Sequence, residues 1–381
     1  MPKMMKHSTD NVPGAVRRHP LLSGALAALI VAGAVVAAGA FSVPATAVTV
    51  DGTSISRATV DADLATIAQN EGFGCYLDAS IAVRSESSAS LPSIGGSGVS
   101  GTYDTSFVDF WLGQLVNNLL IETLAVRQHL PINATALAAG RDDFVDSITS
   151  TLEDAAAATG QSAVCAASGQ AIVSTLPSGF VAGLERSQAA GDLVLAHAAG
   201  YGLGTAQLLR YFNAHQTQFR TICLSAIETA TEATATTVRA SIEAGQSFAA
   251  AAMANSTDAT SAGQGGALGC YSANENAYPT VSADVKGLAV GTVSQPVSNN
   301  GAYVLLEVTS YQPAAYDAVV AAVRGAVLDA GATKAAKELS ALTKSASVDL
   351  DPRYGKWSGV SGIGIEPPQS PAAANLLNPT A

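Results

Sequence analysis

Four cysteines, five histidines and one glycine-rich loop are the places where this chain could do chemistry. Cys75, Cys165, Cys223 and Cys270 are even in number, and none of their spacings has the C-x-x-C form. That pattern points to two disulfides, with three possible pairings, rather than to a redox or metal site. His129, His197 and His215 lie far apart, without a metal-ligating partner nearby in sequence. They read as solvated or helix-surface side chains, and no metal or organic cofactor is expected. The loop is NSTDATSAGQGGALGCYS, Asn255 to Ser272. Its Asp258 suits a turn that caps its own backbone. Glycines at 265, 266 and 269 permit backbone angles denied to other residues.

The elements that position these groups follow from the hydrophobic pattern. Val48 to Ile55 alternates and turns at Asp51-Gly52, which predicts a small hairpin. Ser56 caps a helix with Val60, Leu64 and Ile67 on one face. Arg84 to Gly101 is rich in Ser and Gly and reads as a mobile loop. Phe107 to Gln128 is an amphipathic helix whose aromatic and leucine stripe is a packing core, and Pro131 ends it. Further helices are expected over Ala134–Ala158, Gly179–Gly200 and Thr205–Thr217. After Phe219 the texture changes. A strand is expected over Ile222–Ile227 and a helix over Thr231–Ala244. A short helix carrying Phe248 and Met253 comes next, and another over Ser282–Leu288. Strands follow at Gly291–Ser294 and Ala302–Val308. Tyr316–Lys344 reads as helix broken near Gly331, followed by a Pro/Gly-rich tail.

The net charge is -11, with no basic stripe carrying interleaved aromatics, so nucleic acid is not an expected partner. Lys3, Lys6, Arg17 and Arg18 precede an uncharged apolar run from Leu21 to Val43. Such a run is long enough to span a bilayer as a helix, with the basic residues before it on the cytoplasmic side. Ala45-Thr46-Ala47 also fits a cleavage site, so the run is either an anchor or a cleaved signal sequence. In both cases the chain beyond it is expected outside the cytoplasm, and membrane contact is expected only through Leu21–Val43.

Four stretches in order resemble the parvulin-type (PpiC, rotamase) peptidyl-prolyl isomerase domain. CLSAI, from Cys223, stands where extracytoplasmic members read Cys-x-Ser-His-Ile. AGQSFAAAAMANSTD matches G-x-x-F-x-x-x-A-x-x-x-S-x-D. GGALG resembles Gly-Gly-Asp-Leu-Gly. VGTVSQPVSNNGAYVLLEV matches G-x-V-S-x-P-V, a turn, and the last strand. The preceding hairpin and helices are similar to the chaperone region of SurA-like proteins. The resemblance implies an α+β chain, a mostly helical chaperone region interrupted by an antiparallel-sheet domain. Its divisions would be a cytoplasmic N-terminus (1–20), the anchor or signal (21–43) and the helical region (48–219). A parvulin-like domain (220–311), a helix completing the chaperone region (312–346) and a tail (347–381) follow.

A foldase for secreted polypeptides, unfolded or containing proline, is the implied function. The family's two histidines are replaced, however. Ala226 stands at the first, and Tyr303 at the histidine of the last-strand Gly-x-His. Ala259 stands where some members carry a reactive cysteine. Asp258 keeps the family's acid, and Val281 replaces a phenylalanine of the proline socket beside Pro279. Asp258 and Tyr303 are therefore the candidate catalytic residues. Ala226, Ala259, Leu268, Pro279 and Val281 are the candidate substrate-binding residues. These replacements imply weak or degenerate isomerase activity, or a holdase or dedicated envelope-protein binding module on the same fold. The resemblance also puts Cys223 and Cys270 in one domain, which implies Cys223–Cys270 and Cys75–Cys165 pairs.

Overall fold

The computed structural model describes residues 45–84, 102–161, 163–165, 167–275, 277–299, 301–359 and 364–367. The apolar run Leu21–Val43, most of the Ser/Gly loop Arg84–Gly101 and the end of the tail lie outside the described residues. Among the described residues no helix is long and apolar enough to cross a membrane. Contacts divide the chain into two compact units: residues 201–327, and residues 45–200 together with the chain from Leu328.

The second unit opens with β1 (Thr46–Val50) and β2 (Thr53–Ser56), joined at Asp51-Gly52, where both residues have positive φ as a two-residue hairpin turn requires. β1 is also paired, antiparallel, by β7 (Val348–Leu350) from the far end of the chain, giving the order β2-β1-β7. Ser56 caps α1 (Arg57–Gln69) by accepting the Thr59 N–H at 3.0 Å. Then come α2 (Glu71–Arg84), α3 (Thr105–Arg127), α4 (Ala134–Thr159), α5 (Gly169–Ser174) and α6 (Ser178–Ala198). The helix before Pro131 already stops at Arg127, because His129 takes a left-handed conformation at φ 56°. Asn133 caps α4, and Gly160 closes it at φ 66°.

Side chains from all of these elements share one core. α3 contributes most to it, and its fully buried Trp111 stacks on Phe180 of α6 at 6.0 Å between centroids. Cys75 and Cys165 are bonded, tying α2 to the segment after α4. The last long helix, α12 (Tyr316–Ser345), is continuous at Gly331. Its one irregular residue is Val319, so the break expected at the glycine is displaced by a dozen positions. Gly331 serves packing instead: a Cβ there would sit 1.8 Å from the Leu195 carbonyl oxygen, so α12 can lie on α6 only with no side chain at that point.

The unit of residues 201–327 holds α7 (Thr205–Ala214) and a four-stranded antiparallel sheet. Its strands are β3 (Thr221–Thr229), β4 (Ala267–Tyr271), β5 (Val297–Asn299) and β6 (Ala302–Gln312), in the order β4-β3-β6-β5. One face is covered by α8 (Glu232–Glu243) and α9 (Phe248–Asn255) through Ala235, Val238, Phe248, Ala251 and Ala252 against Ile227 and Leu305. On the other face, Ile222, Leu224, Ala226, Leu306 and Val308 pack with Tyr278 and Val285. This second cover is α11 (Tyr278–Asp284), which starts earlier than Ser282 because Pro279 presets the first turn. Gly291–Ser294 is not a strand. Only Val293 bridges Glu307, and the edge strand forms later, at β5.

Asp63 on α1 is 5 % exposed, and the Trp111 indole N–H donates to it at 3.4 Å. Burial raises its pKa to about 7, against 3.8 ordinarily, and the single Trp111 bond offsets little of that. Folding therefore favours the protonated acid. The stability this supports is present below about pH 4 and is lost as the pH rises through about 7. Asp63→Asn keeps an oxygen for Trp111 and removes the charge. It is expected to stabilise the helical unit by on the order of 3 kcal/mol at pH 8 and by little at pH 4, read from urea unfolding at both values. An equal effect at both would refute a charge-based origin.

Candidate functional site

β3 is the centre of the site because both its neighbours and the glycine-rich loop hydrogen-bond to it. Its alternation sends Ile222, Leu224, Ala226 and Glu228 to the α11 side, and Cys223, Ser225, Ile227 and Thr229 to the α8–α9 side. The loop then runs along its end. The Glu228 N–H donates to the Ser256 hydroxyl at 3.1 Å, and the Thr257 N–H donates to the Glu228 carbonyl at 2.8 Å. Asp258 accepts the Thr260 N–H at 3.0 Å and the Ser261 hydroxyl at 2.5 Å, capping the single turn α10 (Ala259–Ala262). The Gly266 N–H donates to the Ser261 carbonyl, and the Ala226 N–H to the Gly266 carbonyl, each at 2.8 Å. The chain of bonds thus runs from Asp258 to Ala226 without a gap.

Glycine is required at two points of this path. Gly265 and Gly266 have φ of +69° and +85°. A Cβ on Gly266 would lie 2.5 Å from the Ala226 carbonyl oxygen, and one on Gly265 would lie 2.8 Å from the Ala249 Cβ. The loop therefore lies directly on β3 and α9, then enters β4, where Leu224 opposes Gly269, Ser225 opposes Ala267, and Leu268 is the extra residue of a bulge. Cys223 and Cys270 are direct cross-strand partners and are bonded to each other.

The result is an apolar face with a firm lower half and an open upper half. Below, the Tyr278 hydroxyl donates to the Arg220 and Gln218 carbonyls at 2.7 and 3.1 Å. The Tyr311 hydroxyl donates to the Leu288 carbonyl at 2.9 Å, and together these bonds fix α11 to the sheet. Burial pushes the Tyr278 phenol above its usual pKa, the Arg220 charge working against that, so the proton stays on the group that must donate it. Above, Leu268, Val281 and Val304 are half-buried against Ala226 and Leu306. They form a shallow hydrophobic floor at the level of Ala226.

Of the residues singled out from sequence, Ala226, Leu268 and Val281 come together here. Pro279 lies on α11, and Ala259 is exposed in the first turn of α10. Tyr303 does not join them. It opposes Thr229 in the register and packs with the α8–α9 side, so the sheet separates it from Ala226. Its neighbour Val304 occupies the open face instead. Asp258 is half-buried, and burial alone would raise its pKa. The bonds from Ser261 and Thr260 outweigh that and hold the carboxyl below its usual value. It is an ionised cap whose oxygens are engaged. Sequence reading missed Glu228, although period-2 alternation from Ala226 suffices to place it on the same face. Among the described residues no group of three or more His, Cys, Asp or Glu is arranged to hold a metal.

Residues 223–310, the sheet with its loop and short helices, match the family model described as Rotamase, the PPIC-type PPIASE domain. This segment is a PPIC-type rotamase domain. No curated protein sequence matches the chain. Among solved structures the chain is similar to the peptidylprolyl isomerase PrsA of Bacillus anthracis at 16 % identity, over 62 % of this chain and 96 % of that one, with a TM-score of 0.29. PrsA of Bacillus cereus is similar at 14 % identity, over 66 % and 90 %, with a TM-score of 0.37. A SurA-like chaperone of Campylobacter jejuni is similar at 16 %, over 81 % and 100 %, with a TM-score of 0.23. The rotamase domain contains no histidine, so its open face has none to offer.

The close contact at Gly266 predicts a sharp contrast within one loop. Gly266→Ala is expected to cost about 2 kcal/mol or more, since both the angle and the space oppose a Cβ. Gly263→Ala, where φ is ordinary and nothing lies within 4 Å, is expected to stay within about 0.5 kcal/mol of the parent. Thermal unfolding of the two variants side by side measures the contrast. Equal losses would mean that the loop does not rest on β3.

Proposed function

We propose that the chain is an extracytoplasmic foldase that binds unfolded, proline-containing polypeptides on the open face of its rotamase domain and isomerises them weakly. The observation that carries this reading is the apolar floor of half-buried Leu268, Val281 and Val304 around buried Ala226, within a domain of that family. Rotating a prolyl bond means crossing a barrier of roughly 18–20 kcal/mol set by amide resonance. Apolar contact with the ring and exclusion of water from the carbonyl lower that barrier, because the twisted amide has lost its charge separation. The floor supplies the first part. A polar group aimed at the twisted amide is the weaker part, since Asp258 is committed to its own turn and Tyr303 faces the other way.

That same deficit favours, as a second reading, a holdase that binds clients without catalysis. Placement outside the cytoplasm is supported by the pairing of all four cysteines, as an oxidising compartment allows. Anchoring through Leu21–Val43, or secretion after cleavage near Ala47, rests on the sequence. So does the division into a helical chaperone region (48–219 and 312–346) around a parvulin-like domain (220–311).

A protease-coupled isomerase assay, run beside suppression of aggregation of an unfolded client, tests both readings. Leu268→Glu is expected to weaken client binding by about tenfold or more, because it sets a charge in the apolar floor. Tyr303→Phe is expected to leave any catalysis unchanged. Client binding indifferent to Leu268→Glu would remove the open face from the function. Binding without acceleration over the thermal rate would select the holdase.

A further inference from the structure

We propose that Glu228 makes the open face selective for a lysine or arginine next to the client's proline, an inference that rests on the client-binding reading above. Glu228 is the charged residue in the row of β3 side chains that forms this face. It lies two residues beyond Ala226, roughly 7 Å along the strand, and directly opposite Val304. Val304 in turn opposes Val297 on β5, so the row reads Glu228, Val304, Val297 across three strands. A proline seated on the floor at Ala226 and Leu268 would place its neighbouring residue over this row.

The carboxylate is held but not neutralised. The Thr257 hydroxyl donates to one of its oxygens at 3.1 Å, and the strand's N–H and C=O at 228 are fixed by Ser256 and Thr257. Among the described residues Glu228 forms no salt bridge, and two arginines of the same unit are engaged elsewhere. Arg239 pairs with Glu243 and donates to the Ser294 carbonyl, and the Arg220 guanidinium lies over the Tyr311 ring. Asp258, three bonds along the loop, spends its oxygens on Thr260 and Ser261. An oriented, half-buried carboxylate beside an apolar floor is a complement for a cation whose aliphatic stem crosses that floor. The overall charge of -11 acts in the same direction at longer range.

The test is fluorescence anisotropy on the full chain with labelled Ala-Xaa-Pro-Phe peptides, in which Xaa is lysine, glutamine or glutamate. The lysine peptide is expected to bind about three- to tenfold more tightly than the glutamine peptide, and the glutamate peptide more weakly than both. The preference is expected to shrink at ~0.5 M salt, to vanish in Glu228→Gln and to invert in Glu228→Lys. Glu228→Gln keeps an oxygen for Thr257, and its unfolding temperature checks that the fold is kept. Equal binding of the three peptides, or a preference that survives Glu228→Gln, overturns the selectivity and leaves client binding standing. Binding of none of the peptides overturns client binding at this face, and the selectivity with it.

Discussion

The hydrogen bond from the Ala226 N–H to the Gly266 carbonyl, at 2.8 Å, is the constraint on which the rotamase domain depends. It can form only if glycine lies against the strand at that point, since a Cβ at Gly266 would sit 2.5 Å from the Ala226 carbonyl oxygen. Once the bond is made, three consequences follow. The loop's residues 256–258 are drawn along the end of β3, β4 is delivered to the sheet edge in register with Cys223 and Cys270, and Leu268 is set in a bulge beside Ala226. The floor, its rim and the cross-strand disulfide are thus products of one close approach.

Much of this was legible in the sequence because it depends on local rules. The Asp51-Gly52 turn, the Ser56 cap and the long stripe from Phe107 follow from spacing alone, and each is present near its expected place. Ala226, Leu268 and Val281 meet as the motif order implies. What was not legible depends on how segments meet across distance. Gly331 reads as a helix breaker, yet it sits inside a continuous helix because the Leu195 carbonyl occupies the space a side chain would need. Tyr303 holds the position of a motif residue, but the register that pairs it with Thr229 turns it to the covered face. A motif preserves position along the chain, whereas the sheet's pleat decides the side. Glu228 shows the converse, since no motif names it and the pleat alone puts it beside the floor.

The two units differ in how they handle polarity. The helical unit buries Asp63 and Asp109 at 5 % exposure each, with burial raising both pKa values, Asp109 to about 6 with Asp104 adding to the effect. It accepts an energetic penalty inside a large aromatic core that can bear it. In the rotamase domain, Glu228 and Asp258 are instead half-buried at the end of β3 and bonded to hydroxyls and backbone. A small sheet with thin cover has less apolar burial to set against an unpaired charge.

The pairing of β1 with β7 joins the two ends of the described chain, and just beyond it the Ser347 N–H donates to Asp51, 296 positions away. A chain made from its N-terminus presents β1 and β2 long before β7. The edge of that small sheet therefore stays unfilled until Leu350 has emerged, while the sheet of the rotamase domain can close as soon as Gln312 has. Folding is thereby ordered by topology: the rotamase sheet is complete before the unit that surrounds it in sequence, and a chain stalled or truncated before Val348 would leave β1 an open edge, a template for pairing with another chain.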